Sequence, residues 1–156
     1  MKKLLLLIPA LILSACYSKN DWVSIYSYNP QKGDQFGHHI MEYYDLTSIK
    51  VVDHQKNLRS VTLKAEYAPY AHKAISHTYK KSVTLDCNTQ SIAYINYIKE
   101  CNPVGAFCKT VQQKTSYPEY IKQQSDTSSP LTLGVPVPTL MYDATKTIEA
   151  VCATVQ

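Results

Sequence analysis

The residues of this 156-residue chain whose spacing bears most directly on chemistry are its five cysteines. Cys16 lies near the amino terminus, whereas Cys87, Cys101, Cys108 and Cys152 lie in the second half of the chain. Thiols can ligate zinc, attack a substrate or join as disulfides. No Cys-x-x-Cys pair occurs, and no histidine lies close in sequence to the later four. Those four are therefore expected to form disulfides and no metal site.

Cys16 ends a segment with the features of an export signal. Two lysines precede an apolar run over residues 4–12, and Leu-Ser-Ala-Cys follows at 13–16. The run is too short to span a bilayer, and small residues stand where a signal peptidase cuts. The ending resembles the bacterial lipobox, which implies a cleaved signal peptide over 1–15, acylation (palmitate or a similar chain) of Cys16 and a tether over 16–21. The alternatives are an ordinary signal peptide with a chance cysteine, or an amino-terminal helix of the fold.

Tyr17 bears on the destination of the chain. The segment resembles the lipoprotein signals of Gram-negative bacteria. By their sorting rules, a residue other than aspartate directly after the lipidated cysteine favours transport to the outer membrane. Export would place the thiols in an oxidising compartment. Four cysteines allow three pairings. Cys101 and Cys108 bracket a segment with the proline and glycine of a turn, which favours joining these two and leaves Cys87 with Cys152.

The elements that position these cysteines are expected to be mainly strands. The segments rich in strand-forming residues are 22–28, 40–44, 49–52, 58–67, 75–87 and 92–98. Apolar and polar residues alternate along 75–87, which is typical of an antiparallel strand with one solvated face. The polar stretch 112–130 predicts a long surface loop with one helical turn at 119–123. A short strand is expected at 131–133.

The carboxyl-terminal segment changes period and predicts a helix. Its apolar residues recur every three or four positions, at Met141, Ala144, Ile148, Val151, Cys152 and Val155. Cys152 is on this apolar stripe, and Cys87 is on the apolar face of the alternating strand. The expected fold class is therefore α+β, with a small antiparallel sheet and a carboxyl-terminal helix packed on one face and tied to it by a disulfide.

Short motifs in a fixed order resemble the surface-adhesin protein E family of bacterial lipoproteins. They are Tyr43-Tyr44-Asp45 with Ser48-Ile49, then Leu85-Asp86-Cys87, Pro138-Thr139-Leu140-Met141-Tyr142-Asp143-Ala144 and Ala150-Val151-Cys152-Ala153. The resemblance implies a single domain over 22–156, frequent dimers, and an outer-membrane adhesin that captures vitronectin, laminin and plasminogen. The chain departs from the pattern in its Cys101–Cys108 segment and in ending at Gln156, where a terminal lysine could have engaged a kringle domain.

Thirteen tyrosines form the second unusual feature of the composition. Tyrosine is enriched at protein interfaces, but it is also favoured in strands, so either role accounts for a given residue. Several tyrosines cluster near strand ends, and lysines at 64, 73, 80 and 81 could form a basic stripe for acidic glycans or lipid headgroups, or a merely solvated face. The predicted binding face consists of Tyr26, Tyr28, Tyr67, Tyr70, Lys80 and Lys81.

Other function classes find little support in the sequence. The net charge of +4 falls to +2 without Lys2 and Lys3, and Arg59 is the single arginine, so nucleic-acid binding is not expected. No arrangement typical of catalysis stands out, and four glycines disfavour nucleotide loops. We expect a lipid-anchored adhesin, either surface-exposed or on the periplasmic face, that binds a protein ligand and needs no cofactor. The alternative is an envelope-facing structural or inhibitory lipoprotein with no host ligand.

Overall fold

The computed structural model describes residues 21–29, 38–69, 74–126, 141 and 143–154. Their elements are β1 (Trp22–Tyr28), β2 (His38–Asp53), β3 (Leu58–Pro69), β4 (His77–Asp86), β5 (Ser91–Cys101), β6 (Cys108–Gln112), β7 (Thr115–Ser116), α1 (Tyr117–Asp126) and α2 (Ala144–Ala153). The predicted signal and lipidation site, Tyr70, Lys73 and the strand expected at 131–133 lie outside the described residues.

The seven strands in the described part of the chain form one antiparallel sheet. Strands β1 to β6 follow each other across the sheet in chain order, and β7 pairs with β5. Two tight turns join β2 to β3 and β4 to β5, and each ends in a residue with a positive φ of 51°, Asn57 or Gln90. Each begins with an aspartate, Asp53 or Asp86, whose carboxylate accepts backbone N–H groups of its own turn.

One face of the sheet, which we call the core face, carries the hydrophobic core. On β3 the alternate residues Val61, Leu63, Ala65 and Tyr67 are buried on this face, as period two requires. The same hydrophobic cluster contains Tyr120 of α1 together with Ile148 and Val151 of α2. Both described helices therefore contribute to one core with the sheet.

Helix α2 is fastened at both ends. The Asp143 carboxylate accepts the backbone N–H of Lys146 at 3.0 Å and caps the first turn. At the other end, the Arg59 guanidinium donates to the carbonyl of Val151 at 3.0 Å and to that of Thr154. Cys152 is joined to Cys87 by a disulfide across 65 residues. The second disulfide joins Cys101 and Cys108, which are register partners on β5 and β6. Both pairs are the ones that the sequence favoured.

The predicted fold class is met only in part. The described chain is mostly antiparallel sheet with two disulfides, and its two helices have ten residues each. Strand β2 is continuous from His38 to Asp53, where the sequence predicted two shorter strands. A register shift between Asp45 and Lys50 accommodates the turn-forming residues between them, and Asp45 accepts the backbone N–H of Thr47 at 2.9 Å, as an Asx turn does.

The long surface loop predicted for 112–130 is wrong over most of its described part, although the helical turn predicted at 119–123 lies within α1. This part contains β7 and α1, and β6 extends up to Gln112. Helix α1 begins after Ser116, whose hydroxyl accepts the backbone N–H of Glu119 at 3.4 Å, and Pro118 suits the first turn. Burial of Tyr120 in the core fixes the helix on the sheet, although most of its other residues are polar.

Candidate binding surfaces

The sheet face opposite the core bears a row of lysines, and we call it the lysine face. Lys64 of β3 lies opposite Lys80 of β4, and Lys80 lies opposite Lys99 of β5. Register partners in an antiparallel sheet share a face, so the three side chains form one line across three strands about 4.8 Å apart. Like charges placed directly opposite each other are unfavourable, so the sheet maintains this row at a cost.

Aromatic rings lie beneath two of the three lysines of this row. The Lys64 ammonium is 5.0 Å from the ring centroid of Trp22 and 4.7 Å from that of Tyr43. The Lys99 ammonium is 4.9 Å from the Tyr97 ring. Such cation–π contacts stabilise the ammonium charge. Burial raises the pKa of Tyr43, and the negative charge of nearby Glu66 adds to the effect.

The loop between β5 and β6 bends back over the lysine face. Thr78 donates to the carbonyl of Pro103 at 3.2 Å, and Lys80 donates to the carbonyl of Gly105 at 2.7 Å. Gly105 has a φ of 71°, a conformation that favours glycine. A cleft of about 180 Å³ lies between this loop and Trp22, with Lys64 and Lys80 among its lining residues.

The same loop is closed by a disulfide and internal hydrogen bonds, yet it exposes apolar side chains. The Asn102 carboxamide oxygen accepts the backbone N–H groups of Ala106 at 2.9 Å and Phe107 at 3.3 Å, and the Cys101–Cys108 disulfide closes the loop. Val104 and Phe107 are nevertheless each 81% exposed. Val104 lines the cleft on the lysine face. The loop therefore holds two large apolar side chains in water, a position that contact with a partner would relieve.

A second, larger and open cleft of about 550 Å³ lies at the edge of the sheet, and Phe107 is one of its lining residues. We call it the edge cleft. Its other lining residues include Ser76, His77, Glu100 and Lys109. Glu100 and Lys109 form an ion pair at 2.9 Å. An exposed aromatic ring beside a charged rim is the composition of many protein-binding surfaces.

Ser76 and His77 are adjacent in this cleft, but their hydrogen bonds are not those of a nucleophile and its base. The Ser76 hydroxyl donates to the carbonyl of Tyr67 at 3.2 Å, and its oxygen lies 3.0 Å from Nδ1 of His77. A hydroxyl has one proton, so while Ser76 donates to Tyr67 its oxygen can only accept from His77. The contact orders the start of β4.

The structure corrects two members of the predicted binding face. Tyr67 is fully buried on the core face, where its ring meets that of Tyr79 edge-on at 5.4 Å between centroids. Lys81 is also fully buried, and its ammonium pairs with the equally buried carboxylate of Glu42 at 3.1 Å. Both residues lie at core-face positions of central strands, so neither can contact a ligand in the folded chain.

Apart from Tyr70, which lies outside the described residues, the remaining predicted residues lie on different parts of the molecule. Tyr26 is half-buried and packs against the core, Tyr28 at the end of β1 is exposed, and Lys80 is on the lysine face. The structure does not bring these residues together as one surface. Sequence reasoning missed Lys99 and Phe107. The signal for Lys99 is its strand register, which only the pairing of β4 with β5 reveals.

No group of three or more potential metal-ligating residues occurs among the described residues. Within the same part of the chain, no helix combines the length and the apolar character needed to cross a bilayer. Comparisons with protein-family models, with curated proteins and with solved structures found no match for this chain.

Proposed function

We propose that the chain is an outer-membrane surface lipoprotein, anchored through Cys16, that acts as an adhesin for host matrix or plasma proteins of the vitronectin, laminin and plasminogen type. It acts by binding, with no chemical step. The proposal starts from the lipobox-like segment and from the ordered motifs that resemble the protein E family. The helix α2, joined by the Cys87–Cys152 disulfide to a sheet that shares its core, supports that resemblance at the level of the fold.

The observation that carries a binding role is the exposure of Phe107 on a loop that is closed by a disulfide and hydrogen bonds. The disulfide and the Asn102 hydrogen bonds fix the loop before any ligand arrives. Preorganisation lowers the entropy cost of binding, and buried aromatic anchors account for much of the affinity at interfaces. The edge cleft beside Phe107 is therefore our candidate site for the protein ligand.

Binding of the mature chain to immobilised vitronectin, laminin and plasminogen tests the proposal. Cys16→Ser keeps this chain soluble by removing the lipid. We expect saturable binding to at least one ligand and a loss of about tenfold or more in affinity for Phe107→Ser, which corresponds to a hot-spot side chain. Ile121→Ser on α1 is the matched control, because Ile121 is 47% exposed and lies away from the cleft. Absence of saturable binding to all three proteins would refute the adhesin role, and equal affinities for the two variants would refute the site.

The alternative function is that of an envelope-facing structural or inhibitory lipoprotein. Protease treatment of intact cells separates the two functions, because an adhesin must be cleaved from outside. A chain that is protected in intact cells and cleaved after lysis would favour the alternative.

The anchor has its own test. Cells expressing the wild-type chain are expected to incorporate labelled palmitate into it, and cells expressing Cys16→Ser are expected to incorporate none. Equal labelling of both chains would place the lipid elsewhere.

A further inference from the structure

The charge on the lysine face is positive and incompletely neutralised. Lys64 pairs with Glu66 at 2.8 Å, while Lys80 donates to a neutral carbonyl and Lys99 lies over a neutral ring. The Asp45 carboxylate, on the same face, is almost fully buried and accepts hydrogen bonds from the backbone and hydroxyl of Thr47. Asp86 shares this face but lies at the far end of β4, six residues from Lys80. Around the three lysines the face therefore presents more ammonium than carboxylate charge to solvent, and the complement of this row is anionic.

The lysine face also has the composition of a membrane–water interface. Lysine ammonium groups lie over the aromatic rings of Trp22, Tyr43 and Tyr97. Tryptophan and tyrosine favour the level of the lipid headgroups, where lysine can extend its charge to phosphate. Val104 adds an exposed apolar side chain beside them.

The position of Trp22 restricts what can reach this face. Trp22 follows Cys16 by only six residues. Fully extended, those residues span at most about 20 Å. If Cys16 is anchored as proposed above, the Trp22 edge of the lysine face stays within that distance of the bilayer. A host glycan or protein would have to enter this gap, whereas lipid headgroups already line it.

We propose that the lysine face is a membrane-contact surface that binds the phosphates of anionic lipid headgroups and so orients the anchored molecule. Lys64, Lys80 and Lys99 supply the charge, and Val104 reaches the apolar edge of the headgroup layer. The edge cleft, on the other side of the loop, stays available for a ligand. This inference rests on the lipid anchor of the proposed function and does not depend on the identity of a host ligand.

Co-sedimentation of the unacylated mature chain (Cys16→Ser) with lipid vesicles tests the proposal without the anchor. We expect the chain to sediment with vesicles of equimolar phosphatidylcholine and phosphatidylglycerol but not with phosphatidylcholine alone, and to be released by salt. Lys80→Gln/Lys99→Gln should lower the partition coefficient by about tenfold or more. The matched control is Lys56→Gln/Lys122→Gln, which removes the same charge from a turn and from α1 on the other face.

Val104→Ser provides a second variant that leaves the lysines in place, and it should weaken sedimentation while the fold, followed by circular dichroism, is unchanged. Equal sedimentation of the lysine-face and control variants would overturn the proposal. So would retention on a sulfated-glycan column without vesicle binding, since that would assign the face to a glycan. Failure of palmitate labelling would remove the anchor from the proposed function, and the vesicle measurement would still report on the face itself.

Discussion

The ion pair between Lys81 and Glu42 is the least expected contact in the molecule. Glu42 of β2 lies opposite Ala65 of β3, and Lys81 of β4 lies opposite Leu63 of the same strand. The two charged side chains therefore meet across β3 on the core face, where Ala65 contributes only a methyl group. Both are fully buried, so the pair must offset a large loss of hydration. Hydrophobic pattern alone gives no sign of such a pair, because its partners belong to strands that are not adjacent.

Glu42→Gln is expected to destabilise the fold by about 3–5 kcal/mol, because it leaves the Lys81 ammonium buried without its counter-charge. Urea unfolding followed by fluorescence measures the loss. Glu42→Gln/Lys81→Met should recover most of it, since neither charge then remains. Lys109→Met, which breaks the exposed pair with Glu100, should cost less than about 1 kcal/mol. A Glu42→Gln chain as stable as Lys109→Met would contradict the role of the pair.

The loss of stability in Glu42→Gln is also expected to depend on pH. Burial lowers the pKa of Lys81 below its usual 10.5, and the Glu42 carboxylate opposes that shift. Between the lowered pKa and 10.5 the unfolded chain binds more protons than the folded chain, so this group makes stability rise with pH. Without Glu42 the pKa of Lys81 falls further. The pH range over which this group makes stability rise then extends towards neutral pH.

The stability difference between wild type and Glu42→Gln should therefore narrow as the pH rises from neutral towards 10.5. Urea unfolding of both chains across this range measures it, and the comparison cancels the titration of other groups. A difference that stays constant or widens with pH would contradict this assignment.

At the scale of elements, the two disulfides have unequal tasks. The Cys87–Cys152 bridge closes a separation of 65 residues and joins α2 to the turn after β4, whereas the Cys101–Cys108 bridge closes a separation of seven residues inside a hairpin. Loop-closure entropy assigns about 4 kcal/mol to the long bridge and about 2.5 kcal/mol to the short one. The long bridge should therefore dominate stability, and the short one should mainly shape its loop.

Cys87→Ala/Cys152→Ala is expected to lower the free energy of unfolding by more than Cys101→Ala/Cys108→Ala does, with losses of about 4 and 2.5 kcal/mol. Denaturant unfolding of the two double variants measures the order. The short-bridge variant should also lose affinity in the assay for Phe107, because its loop is no longer closed. The reverse order of stabilities would show that the Cys101–Cys108 bridge stabilises more of the fold than the loop that it closes.

The elements that the sequence predicted best are those with a strong period. Apolar residues recur every two positions in strand β4 and every three or four positions in helix α2. Each period shows directly which side of the element is buried. Strand β6 is short and mostly polar, so it shows no such pattern. Helix α1 was predicted only as one turn at 119–123 because it has few apolar residues, although the Ser116-x-x-Glu119 spacing at its start is a known helix signal.

The candidate surfaces depend on register, which is why the sequence located them only partly. Lys80 and Lys81 look alike in sequence, yet one is on the lysine face and the other is in the core. The predicted solvated face of β4 is also partly covered: Thr78 is buried where it donates to Pro103, and Thr84 is buried where it bonds to Asn96. These contacts come from the returning loop and from β5, which a pattern within β4 cannot report.

At the scale of the whole molecule, the described residues form a sheet with one face covered by the two helices and one face not covered by them, and its edge strands differ from its central strands. Strand β1 carries a register shift between Ser24 and Tyr26, and β6 has only five residues. Both features discourage edge-to-edge pairing. The homodimer implied by the family resemblance stays a prediction, and light scattering of the mature chain measures it.

If the chain is exported as proposed, the strand order has a consequence for its oxidation. The chain contributes its strands to the sheet in the order of synthesis, but its disulfides are nested: Cys101 and Cys108 lie between Cys87 and Cys152. An oxidase that joins thiols as they emerge would first link Cys87 to Cys101, a pair absent from the fold. Maturation should therefore require a disulfide isomerase. In isomerase-deficient cells, the yield of the oxidised wild-type chain should fall, while the yield of Cys101→Ser/Cys108→Ser should not. Equal yields of the two chains would mean that the hairpin closes before Cys87 can react.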